Sequence, residues 1–364
     1  MTRAFELGVP FTGDPGPLNA ITDVPGVEVG HETIISGDPG PEAVRTGVKA
    51  ILPLGKKYEP VFAGWYSFNG CGELTGTTWV EESGFLESAV MLTDTIGIGA
   101  VRDGMIKWAA SNIMVPPAQF KDVFWGLPVV GETNNMDLSN MFIFPVKEEH
   151  AIAALDNAKS GKVAEGNVGG GTGMICHQFK GGIGTASRIV EIEGKTYTVG
   201  ALVQSNHGGR WNLHIAGVPV GDEIPDLMPE LDGAEREPGS GSIIIVIATD
   251  CPLLPHQLKR LARRVPLGIG IVGGSGSNSS GDITIAFSTA NAGAARVSGI
   301  SSVEFLPNAL MTPLFYATIQ STEEAIVNSM VAAETMVGFN GNKVYALPHD
   351  RLIAALKKYN RFVG

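Results

Sequence analysis

A mixed α/β fold, with β-sheets layered against helices, is the class this sequence predicts, and three observations predict it. Short apolar runs rich in β-branched residues and bounded by Gly, Pro or Asp read as strands. Longer segments with apolar residues every 3.6 positions read as helices. The two kinds intermix without the strict alternation of a doubly wound parallel sheet.

The strands are expected, in chain order, at 26–34 (GVEVGHETI), 48–54 (VKAILPL), 96–101 (IGIGAV), 195–204 (KTYTVGALVQ), 242–248 (SIIIVIA) and 282–289 (DITIAFST). SIIIVIA has no polar position after its serine, so it predicts a strand buried on both faces. Helices are expected at 102–113, 148–161, 255–265, 321–339 and 349–359, several opened by a proline or an acidic first turn. Between them, 221–241 (GDEIPDLMPELDGAEREPGSG) carries three prolines and a cluster of acids and predicts an exposed, mobile linker.

Composition bounds the function. The chain has 364 residues, of which 44% are hydrophobic and 17% charged, enough to bury a large core, and its 48 glycines imply many tight turns. With 26 basic and 37 acidic residues the formal net charge is -11, which argues against nucleic acid as a partner because phosphate binding needs a positive face. The one basic cluster, Lys259, Arg260, Arg263 and Arg264, has helical spacing and reads as a solvated or ion-paired helix face. Three cysteines without close spacing indicate neither a disulfide framework nor a zinc knuckle. No apolar run is long enough for a signal peptide or membrane span, which predicts a cytoplasmic protein that binds no membrane.

The chemistry is sought where strands begin. EREPGSG passes into SIIIVIA at one peptide bond, with Gly241 before Ser242. That junction reads either as an ordinary loop-to-strand boundary or as a self-cleavage site that frees Ser242 as a new amino terminus. A serine hydroxyl needs a base to become a nucleophile. The freed α-amine of the same residue, with a reference pKa of about 7.7 to 8.0, is suited to the task. Gly241, lacking a side chain, lets the bond bend and be approached.

Other stretches supply partners. Ser280 and Asp282, one residue apart before a buried strand, face one side and together suit proton relay, or else serve as a turn. Asn206, following a strand, is a candidate oxyanion donor. Glu132, at the end of the apolar run VVGET, is placed to pair with a substrate ammonium. The loop EGNVGGGTGM, with Gly170 and Gly171 at its centre, suits either a cradle of backbone amides or a tight turn between sheets. It lacks the Gly-Lys-Ser/Thr ending of a phosphate-binding loop, so a phosphate-binding module is the weaker reading.

Several of these blocks (DVPGVEVGH, GELTGTTWVEESGFLE, GAVRDG, EGNVGGGTGM, FKGGIGTASR, GSIIIVIATDCPLLPHQLKRLARR and SGDITIAFSTAN) occur in one order that resembles the DmpA-type L-aminopeptidase/D-alanyl esterase-amidase family, which includes the β-peptidyl aminopeptidases. The resemblance runs from about residue 20 to beyond 290. It implies a four-layer α/β/β/α sandwich, DmpA/ornithine acetyltransferase-like, forming one catalytic domain over 1–364. It also implies self-cleavage into 1–241 and 242–364, a homotetramer of the cut pairs, and release of an amino-terminal residue from short peptides, amides or esters without metal or cofactor. Carried over position by position, Ser242 is the nucleophile, Gly241 the cleaved carbonyl, Ser280 and Asp282 the assisting pair, Asn206 the oxyanion donor and Glu132 the ligand of the substrate amine. Three positions depart from the pattern. No tyrosine follows Glu132-Thr133, Cys251 stands where relatives usually have alanine, and Asp282 stands where some have Glu. An acyltransferase of the ornithine acetyltransferase type is the alternative, disfavoured because that type exposes threonine at the new terminus.

Overall fold

The computed structural model describes residues 2–57, 59–112, 126–233, 240–296 and 298–364. Two sheets form its centre. The smaller joins β1 (Glu28–Ser36), β2 (Val44–Lys56), β5 (Val90–Asp94) and β6 (Val129–Thr133) in the order β1-β2-β5-β6. The larger has the order β4-β3-β12-β11-β10-β9, built from β3 (Val61–Gly70), β4 (Phe85–Leu86), β9 (Gly182–Ile192), β10 (Lys195–Asn206), β11 (Gly241–Thr249) and β12 (Ser280–Ser288). Two hairpins, β7 (Ile175–Cys176) with β8 (Phe179–Lys180) and β13 (Met336–Val337) with β14 (Lys343–Val344), stand apart.

Three apolar clusters define four layers. Ile51, Val90, Leu92 and Val129 of the small sheet meet Leu202, Ile244, Val246, Ile283 and Ile285 of the large one. Outside the small sheet, α2 (Ile98–Asn112) and α3 (Glu148–Asp156) cover Val48, Ala50 and Met91. On the far face of the large sheet, Ile243, Ile245 and Ile247 pack under α5 (Pro255–Ala262), α6 (Val265–Val272), α7 (Thr312–Val331) and α8 (His349–Lys358). Successive residues of SIIIVIA thus enter opposite layers, as expected for a strand without a wet face. The shorter α1 (Thr77–Ser83) and α4 (Val220–Glu223) complete the helices used below.

The sequence misplaced some elements. The expected strand at 96–101 is a turn running into α2: Asp94 Oδ1 accepts from Gly97 N at 2.8 Å, and Val101, Met105 and Trp108 then recur on one buried face. The expected helix at 321–339 begins at Thr312 and stops at Val331, with Pro313 in its first turn, and residues beyond turn into β13. Strands β3 and β9 escape a reading by residue type, because glycine, alanine and serine interrupt their β-branched and aromatic residues. Packing requires one of these: a Cβ at Gly184 would stand 1.9 Å from Ala325 O, so β9 approaches α7 only through glycine.

The linker expected at 221–241 is held down over much of its length. Ile224 is buried, Arg351 pairs with Asp226 and the main chains of Glu230 and Lys343 bond reciprocally. Residues 234–239 of that stretch lie outside the described residues. The basic cluster does form a paired helix face, with Lys259 on Glu81 at 2.6 Å and Arg264 over the Phe315 ring. All three cysteines are free thiols, and Cys251 packs in the apolar layer beneath the helices. Among the described residues, no helix is long and apolar enough to cross a membrane.

Candidate active site

Ser242 is the second residue of β11, a central strand, and its neighbours are fixed by register. Antiparallel pairing sets Asn206 of β10 opposite Ser242; parallel pairing sets Gly281 of β12 opposite it on the other side. Gly281 N donates to Ser242 Oγ at 3.1 Å. Ser280 and Asp282 pair with Gly241 and Ile243, so in register they bracket Ser242. Ser280 Oγ donates to Asp282 Oδ1 at 2.7 Å, and the second carboxylate oxygen, Oδ2, is buried without a partner. Burial pushes the Asp282 carboxyl up to about 6, against the opposing pull of the Ser280 hydroxyl.

Gly241 occupies a backbone conformation closed to other residues. Its φ is +128°, and a Cβ there would fall 2.0 Å from Asn206 O. Lack of a side chain is therefore a steric condition for the chain to enter β11 beside β10.

Asn206 is clamped by main-chain groups on both ends of its amide. Oδ1 accepts from Ile175 N and Nδ2 donates to Asn134 O, each at 2.8 Å. One Nδ2 proton remains for another acceptor.

Glu132 enters from the small sheet. Gly131 of β6 lies across from β11, since a Cβ at Gly131 would come 3.0 Å from the Ile244 side chain. Glu132 Oε1 accepts from Glu73 N at 3.0 Å, and Oε2 accepts from the Thr95 hydroxyl. Burial raises its pKa; those hydrogen bonds oppose the rise, while Glu73 and Asp94 add to it. Such a carboxylate is short of positive charge, which a ligand ammonium would supply. Gly72 lies beside both Glu132 and β12: a Cβ there would be 3.0 Å from Gly281 Cα and 3.3 Å from Glu132 Oε1.

The structure thus brings Gly241, Ser242, Ser280, Asp282, Asn206 and Glu132 to one end of the sheet pair. The glycine loop has a different local reason. Gly169–Gly171 forms a buried 3₁₀ turn, and Gly171 N is spent on Val168 O. A Cβ at Gly170 would meet Gln204 Oε1 at 2.1 Å, and one at Gly171 would meet Ile183 N at 2.5 Å. Close packing between the sheets alone accounts for both glycines. Sequence reasoning missed Gly72, Thr95 and Gly281. Of these only Gly281 carried a signal, as the residue between Ser280 and Asp282.

Two sheets packed face to face under outer helices, with a buried serine heading a central strand, define the class: the chain has the fold of the N-terminal-nucleophile hydrolases. It is similar to the L-aminopeptidase D-Ala-esterase/amidase of Ochrobactrum anthropi, described as a variant of that fold, with TM-score 0.92, 47% identity and 100% of both chains covered. A Burkholderia sp. β-aminopeptidase matches with TM-score 0.88 and 42% identity over 98% of this chain and 99% of the other. β-Peptidyl aminopeptidase BapA of Sphingosinicella microcystinivorans is 52% identical, covering 100% of this chain and 93% of the relative.

The chain belongs to peptidase family S58, whose model matches residues 19–344. It is accordingly a serine aminopeptidase of the DmpA type, and the acyltransferase alternative is set aside.

Proposed function

We propose that the chain severs itself between Gly241 and Ser242 and then uses Ser242 as an amino-terminal nucleophile to release the first residue of short peptides, amides or esters. The observation that carries this reading is the setting of that one bond. A glycine of positive φ precedes it, and the hydrogen-bonded Ser280 and Asp282 stand opposite Gly241 and Ile243 on the adjacent strand.

In maturation, Ser242 Oγ attacks the Gly241 carbonyl carbon, the C–N bond breaks, and the hydroxyl proton passes to the departing Ser242 nitrogen. Water then hydrolyses the ester, leaving a Gly241 carboxylate and restoring the Ser242 hydroxyl beside a free amine. In turnover, Oγ attacks the carbonyl of the substrate's first residue while that amine takes its proton and delivers it to the leaving group. Water resolves the acyl-enzyme. Ser280 and Asp282 hold and relay the proton at the Ser242 amine, and the free Asn206 Nδ2 proton faces the developing oxyanion.

Glu132 binds the substrate's α- or β-ammonium, which restricts the enzyme to free amino termini. The names of the relatives support both L-aminoacyl and β-aminoacyl substrates. Without a tyrosine after Glu132-Thr133, Asn134 and Asn135 begin that wall of the site. A homotetramer of cut pairs and a cytoplasmic setting belong to the same proposal.

Denaturing electrophoresis with mass determination tests it: the active protein should yield residues 1–241 and 242–364. An active chain continuous through 241 and 242 would refute the mechanism.

A further inference from the structure

Cys176, His177 and His207 meet beneath the large sheet, on its helix-covered side, where the peptidase chemistry makes no use of them. All three side chains are buried. The sulfur and one ring nitrogen of each histidine lie within 4.8 Å of one another. Cys176 Sγ is 4.0 Å from His207 Nδ1, and the two rings meet edge to face with centroids 5.2 Å apart.

The hydrogen bonds leave these nitrogens unsatisfied. His177 Nδ1 lies 3.0 Å from Gly209 O. A carbonyl only accepts, so Nδ1 carries the proton and Nε2 presents a lone pair. That Nε2 and His207 Nε2 are both buried without a partner. A buried polar atom left without a partner is costly, and a ligand would relieve that cost. The hairpin that carries Cys176 and His177 is itself unusual, because His177 and Gln178 both have positive φ, 48° and 59°. A Cβ at Gly208 would stand 2.5 Å from the His177 ring, so the main chain yields space to the imidazole.

We propose that Cys176, His177 and His207 form a binding site for a soft d10 metal ion, held by one thiolate and two neutral imidazoles. Metal–ligand bonds of about 2.0 to 2.3 Å set ligand atoms roughly 3.3 to 4 Å apart, so the trio needs to close by only a fraction of an ångström to about one. The His177 Nδ1–H donating to a carbonyl is the arrangement that orients a metal-ligating imidazole. Binding converts Cys–SH and the ion into a metal–thiolate bond and releases one proton.

Charge selects among such ions. The guanidinium nitrogens of Arg210 stand beside the trio, Nε donating to His177 O at 3.0 Å. A monovalent ion with one thiolate is neutral, whereas a divalent ion leaves a positive charge buried beside them. Cu(I), which soft thiolate ligands select, therefore fits better than Zn(II). The site would pin the β7–β8 hairpin to the end of β10, where His177 N already donates to His207 O at 2.7 Å.

The test is metal content in full-length protein purified anaerobically from cells grown with added copper or added zinc. About one ion per chain is expected from the copper culture, falling to about a tenth in Cys176→Ser and His177→Ala but unchanged in Cys251→Ser. X-ray absorption on the unmutated protein needs no variant to fold, and should show one sulfur at about 2.2 to 2.3 Å with two nitrogens near 2.0 Å. Stoichiometric zinc with that same shell keeps the site and overturns the preference for a monovalent ion. Metal-free protein from both cultures, or a shell without sulfur, overturns the site.

Discussion

Ser242 and Gly281 face each other across the parallel pairing of β11 and β12, and the Gly281 amide holds the Ser242 hydroxyl at 3.1 Å. The contact orients Oγ before any bond is cut. It also leaves the hydroxyl proton free, since Oγ is the acceptor. Ser280 has already committed its proton to Asp282. In the proposed mechanism the two serines therefore have separate tasks, one to attack and one to manage charge at the adjacent nitrogen.

Replacing Ser242 by Ala should leave a single chain that folds and has no peptidase activity. Among the described residues Oγ accepts one hydrogen bond, so the loss in stability should stay within about 1 kcal/mol. Mass determination and thermal melting of the variant check both statements.

Gly241→Ala should fail to mature. Its Cβ would be forced to 2.0 Å from Asn206 O at a φ of +128°, which requires the strand to withdraw. A penalty above about 2 kcal/mol is expected from the strained backbone and displaced pairing. Time-resolved electrophoresis of freshly made protein should show the intact chain persisting.

Asp282 should give the uncut chain a distinct pH profile. Its folded pKa, about 6, lies above the ordinary carboxylate value of 3.8, so the native state holds a proton that the unfolded state has released. Its contribution to stability is present below about pH 4 and is lost as pH rises to about 6. Denaturant unfolding of Ser242→Ala across that window should show the decline, and adding Asp282→Asn should flatten it.

Glu132→Gln should reduce kcat/KM for substrates with a free amine by roughly 100-fold, the size expected when a buried ionic partner of a ligand is lost. Thr95→Val should act in the same direction and more weakly, because Thr95 donates to the same carboxylate. N-acetylated substrates should not be cleaved by the unmutated enzyme, and brisk cleavage of them would remove Glu132 from its role.

Asn206→Ala should cost about 3 kcal/mol of barrier if the side chain is an oxyanion donor. It should also cost stability, because Ile175 N and Asn134 O lose their partners. Asn206→Asp keeps the acceptor for Ile175 N, so comparing its melting point and kcat with those of the alanine variant separates the two effects.

Much of the site was legible because it lies on contiguous motifs. SIIIVIA announced its double burial, and the alternation of Ser280 and Asp282 announced a pair that does bond. What stayed hidden depends on contacts distant in sequence. Gly72 looks like any loop glycine until β6 and β12 close on it from residues 132 and 281. The run GGG suits a cradle of amides or a tight turn between sheets, and only the carbonyls and side chains pressed against its glycines show how close that packing is. Ile96–Val101 reads as alternation because Gly97 and Gly99 follow Ile96 and Ile98, and only the spacing of Val101, Met105 and Trp108 reveals the helix.

The large sheet draws β3, β4, β9 and β10 from before residue 241 and β11 and β12 from after it. Once the proposed cut is made, β12 and β11 of the shorter fragment would still lie side by side between β3 and β10 of the longer, like a rung shared by two ladders. Dilution alone should not part them, and heating should melt both in one cooperative step. A mixture of the fragments made separately would have to nucleate the whole sandwich at once.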